Sequence, residues 1–266
     1  MMRNIAINGQ FTARKMTGQE RFAYEVVACL DSLVRTDDNI KLVIPENAVN
    51  IPVLQNIEIV RFGKARGSLW EQIFFFYYTY KHDCLSLNLC SIMPVLRPGV
   101  ICIHDISYKV NPLFFKTVYA RVSQVWHKLM FHLAKQFSPV IFTVSEFSKL
   151  DIAEEFNFPK EKIFVTHLAA EDIYRPIDRA YCKKFIKDNY KIADNFILYV
   201  GGYSPRKNII GILEAFSLLK DNLKEDLKIV ITGKKGISYE IYKNKAIELG
   251  ISNSVIFTDF IPLNDL

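Results

Sequence analysis

Short runs of aliphatic and β-branched residues recur along the chain, and longer stretches with an apolar period of three to four residues lie between them. The runs fall at 5–8, 41–44, 57–62, 100–104, 140–144 and 163–166, with a second set at 196–200, 227–232 and 255–257. Within each run the apolar character is continuous rather than alternating. That predicts strands covered on both faces, as in a parallel sheet. Thr17-Gly18-Gln19-Glu20 has the spacing of a capping box and predicts a helix running towards residue 34. Ser68-Leu69-Trp70-Glu71 predicts another, running towards residue 80. A long, mainly helical region is expected over 113–137. Helices of the second set are expected over 208–219 and 239–249, the last stopped by Gly250. Strand and helix thus alternate, and the pattern reads as α/β.

The alternation breaks between residues 166 and 196, where an irregular stretch ends at Pro176 and a charged helix is expected over 178–190. The domain boundary is placed at 175. Residues 1–175 then form one complete domain, and 176–266, with three strands, the first half of a doubly wound one. The second domain is therefore expected to be incomplete, with an exposed sheet edge and low stability or self-association.

Composition narrows the classes. Of 266 residues, 50% are hydrophobic and 23% charged, which excludes a disordered chain. The net charge of +6 is spread along the sequence without a nucleic-acid-binding motif, so no nucleic acid is expected as partner. The longest apolar run, 73–80, is far short of the roughly 20 residues a membrane span needs. No basic-then-apolar leader opens the chain, so a cytoplasmic location is expected, or a peripheral one on the inner face of the membrane. The five cysteines include no Cys-x-x-Cys pair and read as free thiols. There is no His-Glu-x-x-His and no Asp-x-Asp, so neither a metal nor another cofactor is expected.

The strongest local signal is 196–209, Phe-Ile-Leu-Tyr-Val-Gly-Gly-Tyr-Ser-Pro-Arg-Lys-Asn-Ile. A strand ends at Gly201-Gly202, a turn carries Arg206 and Lys207, and a helix starts near Asn208. Paired glycines let a ligand approach the backbone, and a helix start offers free N–H groups and a positive dipole end to an anion. Arg grips phosphate oxygens through two N–H groups, while Lys adds a mobile point charge. At a strand's carboxyl end, the usual ligand position of open α/β sheets, this reads as a diphosphate site; the alternative is a surface turn with two solvated cations. Neither the P-loop nor the dinucleotide glycine pattern occurs.

Gly-Gly-Tyr-x-Pro-Arg-Lys-Asn-Ile, followed by Leu213-x-Ala-Phe216, resembles the donor-site signature of GT-B glycosyltransferases of the large retaining group called family 4. Thr17-Gly18-Gln19-Glu20-Arg21-Phe22 resembles that family's first glycine loop, and Ile103-His104-Asp105 its His-Asp motif. The segment 143–149 resembles its Ser-x-x-Ser/Thr helix start, and 231–233 and 257–261 match its next two strand ends. The resemblance extends over essentially all of the chain and is nearest to bacterial mannosyl- and rhamnosyltransferases of surface polysaccharide synthesis. It implies two Rossmann-like domains facing a cleft, the first on the acceptor side and the second binding the nucleotide sugar. It also implies a later Glu-x7-Glu motif; the sequence ends before it, so a C-terminal truncation is expected.

The resemblance further implies retaining, metal-independent hexosyl transfer from a nucleotide sugar, GDP-mannose-like in the first instance, to a saccharide or lipid-linked acceptor. Arg206 and Lys207 are the expected counter-charges of the leaving diphosphate. Gly201, Gly202 and Gly233 are expected to line the nucleotide sugar, and Gly18 either lets the diphosphate approach or is simply the first residue of a capped helix. His104 is either a hydrogen-bond partner of the donor sugar or a core histidine fixed by Asp105. Asp105 is either an acceptor-side base or an orienting residue. Arg14 and Lys15 attract phosphate or acceptor, or belong to a solvated loop, and Lys234 and Lys235 reach the nucleotide or form a solvated turn. The aromatic run 74–80 is core plus one exposed strip, or a membrane contact helped by the net charge. Two other readings stand beside transfer: a non-catalytic fragment that binds nucleotide or acceptor, and a sugar-nucleotide epimerase on the same fold.

Overall fold

The computed structural model describes residues 4–35, 37–110, 118–171, 173–193, 195–221, 227–233, 236 and 238–266. The chain divides into two units, Met1–Ala170 and Glu171–Leu266.

The first unit runs β1 (Ile5–Asn8), α1 (Gly18–Asp31), β2 (Ile40–Ile44), β3 (Glu58–Arg61), α2 (Gly67–Trp70), a π-helical turn (Glu71–Phe75) and α3 (Phe76–Lys81). It continues with β4 (Leu85–Asn88), β5 (Val100–Cys102), α4 (Ser107–Val110), α5 (Val118–Phe137), β6 (Ile141–Thr143), α6 (Glu146–Phe156) and β7 (Ile163–Val165). The strands pair in parallel in the order β3-β2-β1-β4-β5-β6-β7. Ile5 stands between Ile40 and Leu85, which fixes the register at the centre. Ile7, Leu42 and Ile44 bury one face under Phe22, Ala23 and Val27 of α1. Ile101, Ile141 and Ile163 bury another region under Met130, Phe131 and Ala134 of α5.

Three expectations are corrected here. The strand β4 has no counterpart among the predicted runs, although it lies beside β1. Its sequence is Leu-Ser-Leu-Asn, and the polar residues Ser86 and Asn88 are the fully buried ones. Asn88 donates to Ser86 Oγ and to the Val100 carbonyl, so its burial is satisfied by hydrogen bonds rather than by apolar contact. Next, Thr17 is the N-cap of α1, but its hydroxyl bonds to the Glu20 carboxylate and not to a backbone N–H. Last, Ser68 does not cap: α2 begins at Gly67, and Glu71 turns into the core.

The reason is the π turn. Trp70 and Phe75 stack with ring centroids 5.7 Å apart, and both are buried. Residues five apart diverge by about 140° on an α-helix, so only the wider turn brings both rings to one face. Phe75 and Tyr78 join Trp70 in the core, while Tyr77 and Tyr80 are exposed, so the aromatic run is core plus an exposed strip. Residues 111–117, the start of the long helical region expected over 113–137, lie outside the described residues.

The second unit runs α7 (Arg179–Tyr190), β8 (Asn195–Val200), α8 (Ile209–Asp221), β9 (Leu227–Thr232), α9 (Tyr239–Glu248) and β10 (Val255–Phe257). Its parallel sheet has the order β10-β9-β8. Ile209, Leu213 and Phe216 of α8 and Tyr242 and Ala246 of α9 close over Ile229 and Ile231. Gly250, with φ +68°, ends the last helix. The edge strand β8 departs from the expectation of burial on both faces: Ile197, Leu198 and Val200 are 42–56% exposed. All five cysteines are free. Among the described residues no helix is long and apolar enough to cross a membrane.

Candidate functional site

Both sheets end their strands in polar turns, and the predicted residues gather there within each unit.

In the first unit, His104 and Asp105 follow β5. His104 Nε2 lies 2.8 Å from the Leu89 carbonyl oxygen, so that nitrogen carries the proton and Nδ1 the lone pair. Phe22 meets the ring edge-on at 4.7 Å. Burial lowers the pKa of His104 against the opposing Leu89 carbonyl and Asp105, which keeps the ring neutral. The Ser148 hydroxyl donates to the His104 carbonyl, and Ser145 Oγ caps α6 by accepting from Ser148 N. Asp105 accepts from Ser107 N at 2.9 Å and so shapes the turn into α4. His127 of α5 lies at the same edge: burial lowers its pKa, with Asp105 opposing and Arg14 reinforcing.

Gly18 opens α1, and a Cβ placed there would meet nothing within 4 Å. Internal packing does not require glycine at that position, and the space in front of it is open. Arg14 is held by two carboxylates. Its Nη2 reaches both oxygens of Glu71 at 3.3 Å, and its Nη1 stands 3.8 Å from Glu20. Phosphate attraction by Arg14 is thereby offset on the spot.

Glu71, Asn8 and Asn88 did not figure among the predicted residues. Asn8, at the carboxyl end of β1, donates to Asn88 Oδ1 at 3.1 Å and to Glu71 Oε1 at 3.3 Å, and accepts from Gln10 N. Burial lifts the Glu71 pKa to about 7, against the lowering effects of Arg14 and Asn8. The signal for Glu71 was the apolar spacing around it: Trp70, Phe75 and Tyr78 fit neither an α-helical stripe nor a strand.

In the second unit, the turn after β8 is built as its residue types predict. Gly201 N donates to the Thr232 carbonyl, and Gly233 has φ +151°. A Cβ on Gly233 would collide with the Gly201 carbonyl oxygen, so the two strand ends close on each other only through glycine. At Gly202 nothing lies within 4 Å of the Cβ position. Pro205–Lys207 forms a 3-10 turn, with the Lys207 side chain exposed. Asn208 adopts φ +50° and accepts from Gly211 N, capping the first turn of α8. The side chain of Arg206, and Lys234 and Lys235, lie outside the described residues.

Tyr203 was read only as part of the motif. It is buried, with its hydroxyl 3.0 Å from the Ile231 carbonyl and 3.1 Å from that of Thr258. It ties the Gly202–Pro205 turn to the ends of β9 and β10, and burial pushes its pKa to about 12. Among the described residues no group of three or more His, Cys, Asp or Glu is placed to hold a metal.

The family described as Glycosyl transferases group 1 matches residues 183–266. The O-antigen chain mannosyltransferase B of Escherichia coli is 29% identical over 173 residues, 64% of this chain and 44% of that protein. The serotype-specific mannosyltransferase WbdA of Escherichia coli is 30% identical over 131 residues, 47% of this chain and 16% of that protein. The matched region therefore spans less than half the length of these relatives. Among solved structures, HepE of Anabaena in complex with UDP and glucose superposes with a TM-score of 0.64 at 15% identity, covering 98% of this chain and 70% of that one. WaaG, a glycosyltransferase involved in lipopolysaccharide biosynthesis, superposes with a TM-score of 0.64 at 12% identity, covering 98% of this chain and 71% of that one. Residues 183–266 thus match the group 1 glycosyltransferase family, and the chain has the fold that HepE and WaaG share.

Proposed function

We infer that the protein moves a hexose from a nucleoside diphosphate sugar, GDP-mannose-like in the first instance, to a saccharide or lipid-linked saccharide, with retention and without a metal. The observation that carries this reading is the turn after β8: glycines at two strand ends, an exposed Lys207 and a helix start, inside the region that matches the family. The mannosyltransferase relatives support the sugar, and the UDP-bound HepE structure supports a nucleoside diphosphate in general.

As the glycosidic bond breaks, negative charge grows on the leaving diphosphate. Arg206, Lys207 and the first amides of α8 compensate it as fixed electrostatics, and losing one such contact costs about 3–4 kcal/mol of barrier. The neutral His104 ring offers Nδ1 as an acceptor for a sugar hydroxyl. Retention follows if the departing phosphate itself takes the acceptor proton on the same face.

A peripheral membrane contact is a second part of the reading. Leu69, Ile73, Tyr77 and Tyr80 form an exposed strip along one helical face, flanked in sequence by Lys64, Arg66 and Lys81. Co-sedimentation with anionic but not zwitterionic vesicles tests it, with Ile73→Ser and Tyr77→Ser as the variants expected to stay in solution.

The main test is thermal-shift binding of GDP, UDP, dTDP and ADP to the wild type and to the Arg206→Ala, Lys207→Ala double variant. Stabilisation by one diphosphate, lost in the variant, is expected. No shift with any of the four counts against the donor site.

A further inference from the structure

Glu71 sits where two costs coincide. Its side chain is 1% exposed, and a carboxyl group is expensive to bury even when paired. It also opens the π turn, a rare and weak form of helix that recurs at functional sites. Replacing such a buried pair as a whole by apolar side chains of similar volume is often neutral or stabilising, although removing one partner alone is costly. Stability therefore does not by itself account for the pairing of Glu71 with Arg14.

The groups around it do. Asn8 is fully engaged: both of its amide hydrogens donate, to Glu71 and Asn88, and its oxygen accepts from Gln10 N. It is a fixed hub that aims one donor at Glu71. On the other side lies Arg14, whose side chain is 24% exposed and forms the outer end of the chain Asn88–Asn8–Glu71–Arg14. Arg14 has five N–H groups, of which only those on Nη2 bond to Glu71, and Nη1 is too far from Glu20 for a hydrogen bond. In the same turn, the side-chain oxygen of Gln10 is buried with no partner among the described residues. The edge thus holds unused donors and an unused acceptor.

Charge decides what they fit. Two carboxyl groups face one guanidinium, so the cluster carries −1 with both ionised and zero with Glu71 protonated. At no point is it positive, which disfavours a phosphate. A neutral hydroxyl both donates to a carboxylate and accepts from a guanidinium. We propose that Arg14 and Glu20 bind hydroxyl groups of the acceptor saccharide, and that Glu71 is the positioning residue that holds the Arg14 guanidinium in place from beneath. This rests on the reading of the first unit as the acceptor side of a glycosyltransferase. The titratable and charged groups around Glu71 are Arg14 from the loop, Glu20 from α1 and Cys90 after β4, whose thiol burial keeps protonated. Burial lowers the pKa values of His127, which faces Arg14, and of His104, which faces Glu20, so both rings stay neutral and the group of the cluster that changes charge near neutrality is Glu71.

The test follows the side-chain Nε–H signal of Arg14 by proton–nitrogen NMR, assigned through Arg14→Lys, while methyl α-D-mannopyranoside is added to the full chain. The glycoside is expected to shift the signal saturably, and inorganic phosphate at the same concentration to leave it in place. Glu71→Gln keeps the size and the bond from Asn8 but not the charge. It is expected to weaken glycoside binding about tenfold, the worth of one hydrogen bond to a charged group. It is also expected to abolish the rise in wild-type affinity between about pH 6 and pH 8, as Glu71 ionises and pins Arg14. Tryptophan fluorescence establishes that the variant is folded, and Arg14→Lys, which keeps the charge but loses the fork and is titrated through its backbone amide signals, is expected to bind as weakly. Unchanged glycoside affinity in both variants, or a signal that answers to phosphate and not to glycoside, overturns the proposal. GDP titration of the same samples reads the donor side separately: failure there tells against transfer and not against the Arg14 site.

Discussion

Replacing Glu71 by Gln tests the energetics of the buried carboxyl directly, apart from any ligand. Burial raises the folded-state pKa to about 7 from the ordinary 4.5, so the folded form holds its proton over a range in which the unfolded chain has released it. Stability from this group is therefore fully present below about pH 4.5 and is lost as the pH rises through 7. The loss is the pKa difference times about 1.4 kcal/mol per unit, or about 3 kcal/mol. With a urea slope of about 2 kcal/mol/M, this is a midpoint difference of roughly 1.5 M between pH 5 and pH 8. The assay is convenient because the two tryptophans, Trp70 and Trp126, both belong to the first unit, and Trp70 is the neighbour of Glu71 in the chain. Their fluorescence thus reports the unit concerned. Wild type is expected to lose midpoint steadily from pH 5 to pH 8, and Glu71→Gln to show that much less of a decline. Parallel curves for the two proteins would refute the reasoning, because the carboxyl would then have the same proton affinity folded and unfolded.

Three further outcomes follow from the geometry. Gly233→Ala forces a side chain into positive φ and against the Gly201 carbonyl, so the second unit should lose about 2–4 kcal/mol in urea unfolding, with diphosphate binding lost alongside. Tyr203→Phe removes the hydroxyl that ties the turn to β9 and β10; about 1–2 kcal/mol of stability and a several-fold loss of diphosphate affinity are expected from a melt with and without ligand. Asp31 accepts backbone N–H groups of Gln55, Asn56 and Ile57, which hold its carboxyl below the usual range, the Gln55 bond most of all. Its stabilisation is present above the unfolded pKa and lost as pH falls through the depressed one, so Asp31→Asn should flatten the acid limb of the wild-type unfolding profile.

The alternation of strands and helices was legible because most strands are buried among apolar neighbours, and continuous runs such as Lys-Leu-Val-Ile and Lys-Ile-Val-Ile-Thr say so directly. The glycine turn after β8 was legible for a different reason: backbone at positive φ or in collision range leaves glycine as the residue that fits, and Gly233 meets both conditions. The strand β4 was not legible. Its buried positions are Ser and Asn, and a polar residue satisfied by a partner distant in sequence carries no periodic mark. Nor was Asp31, whose three backbone donors come from residues 24–26 positions further on.

Glu71 was misread for a sharper reason. Three residues after a serine at the start of a helix, a glutamate has the spacing of a capping box, and that local rule competes with a tertiary one. The tertiary rule won because Trp70, Phe75 and Tyr78 must all reach Ala6 and Val43 in the sheet, and they do so only if the helix widens by one residue at Glu71. The widening swings the carboxylate off the solvent face and onto Asn8, which in turn requires a donor on its far side, supplied by Arg14. Packing of three aromatic rings and the polarity of the strand edge are thus a single constraint. A change that restores regular α-helical geometry here, such as deleting Phe74 to shorten the turn, is expected to free Arg14 as well as to disturb the Trp70–Phe75 stack. Loss of the buried-tryptophan fluorescence with an unaltered Arg14 Nε–H signal would show the two to be independent.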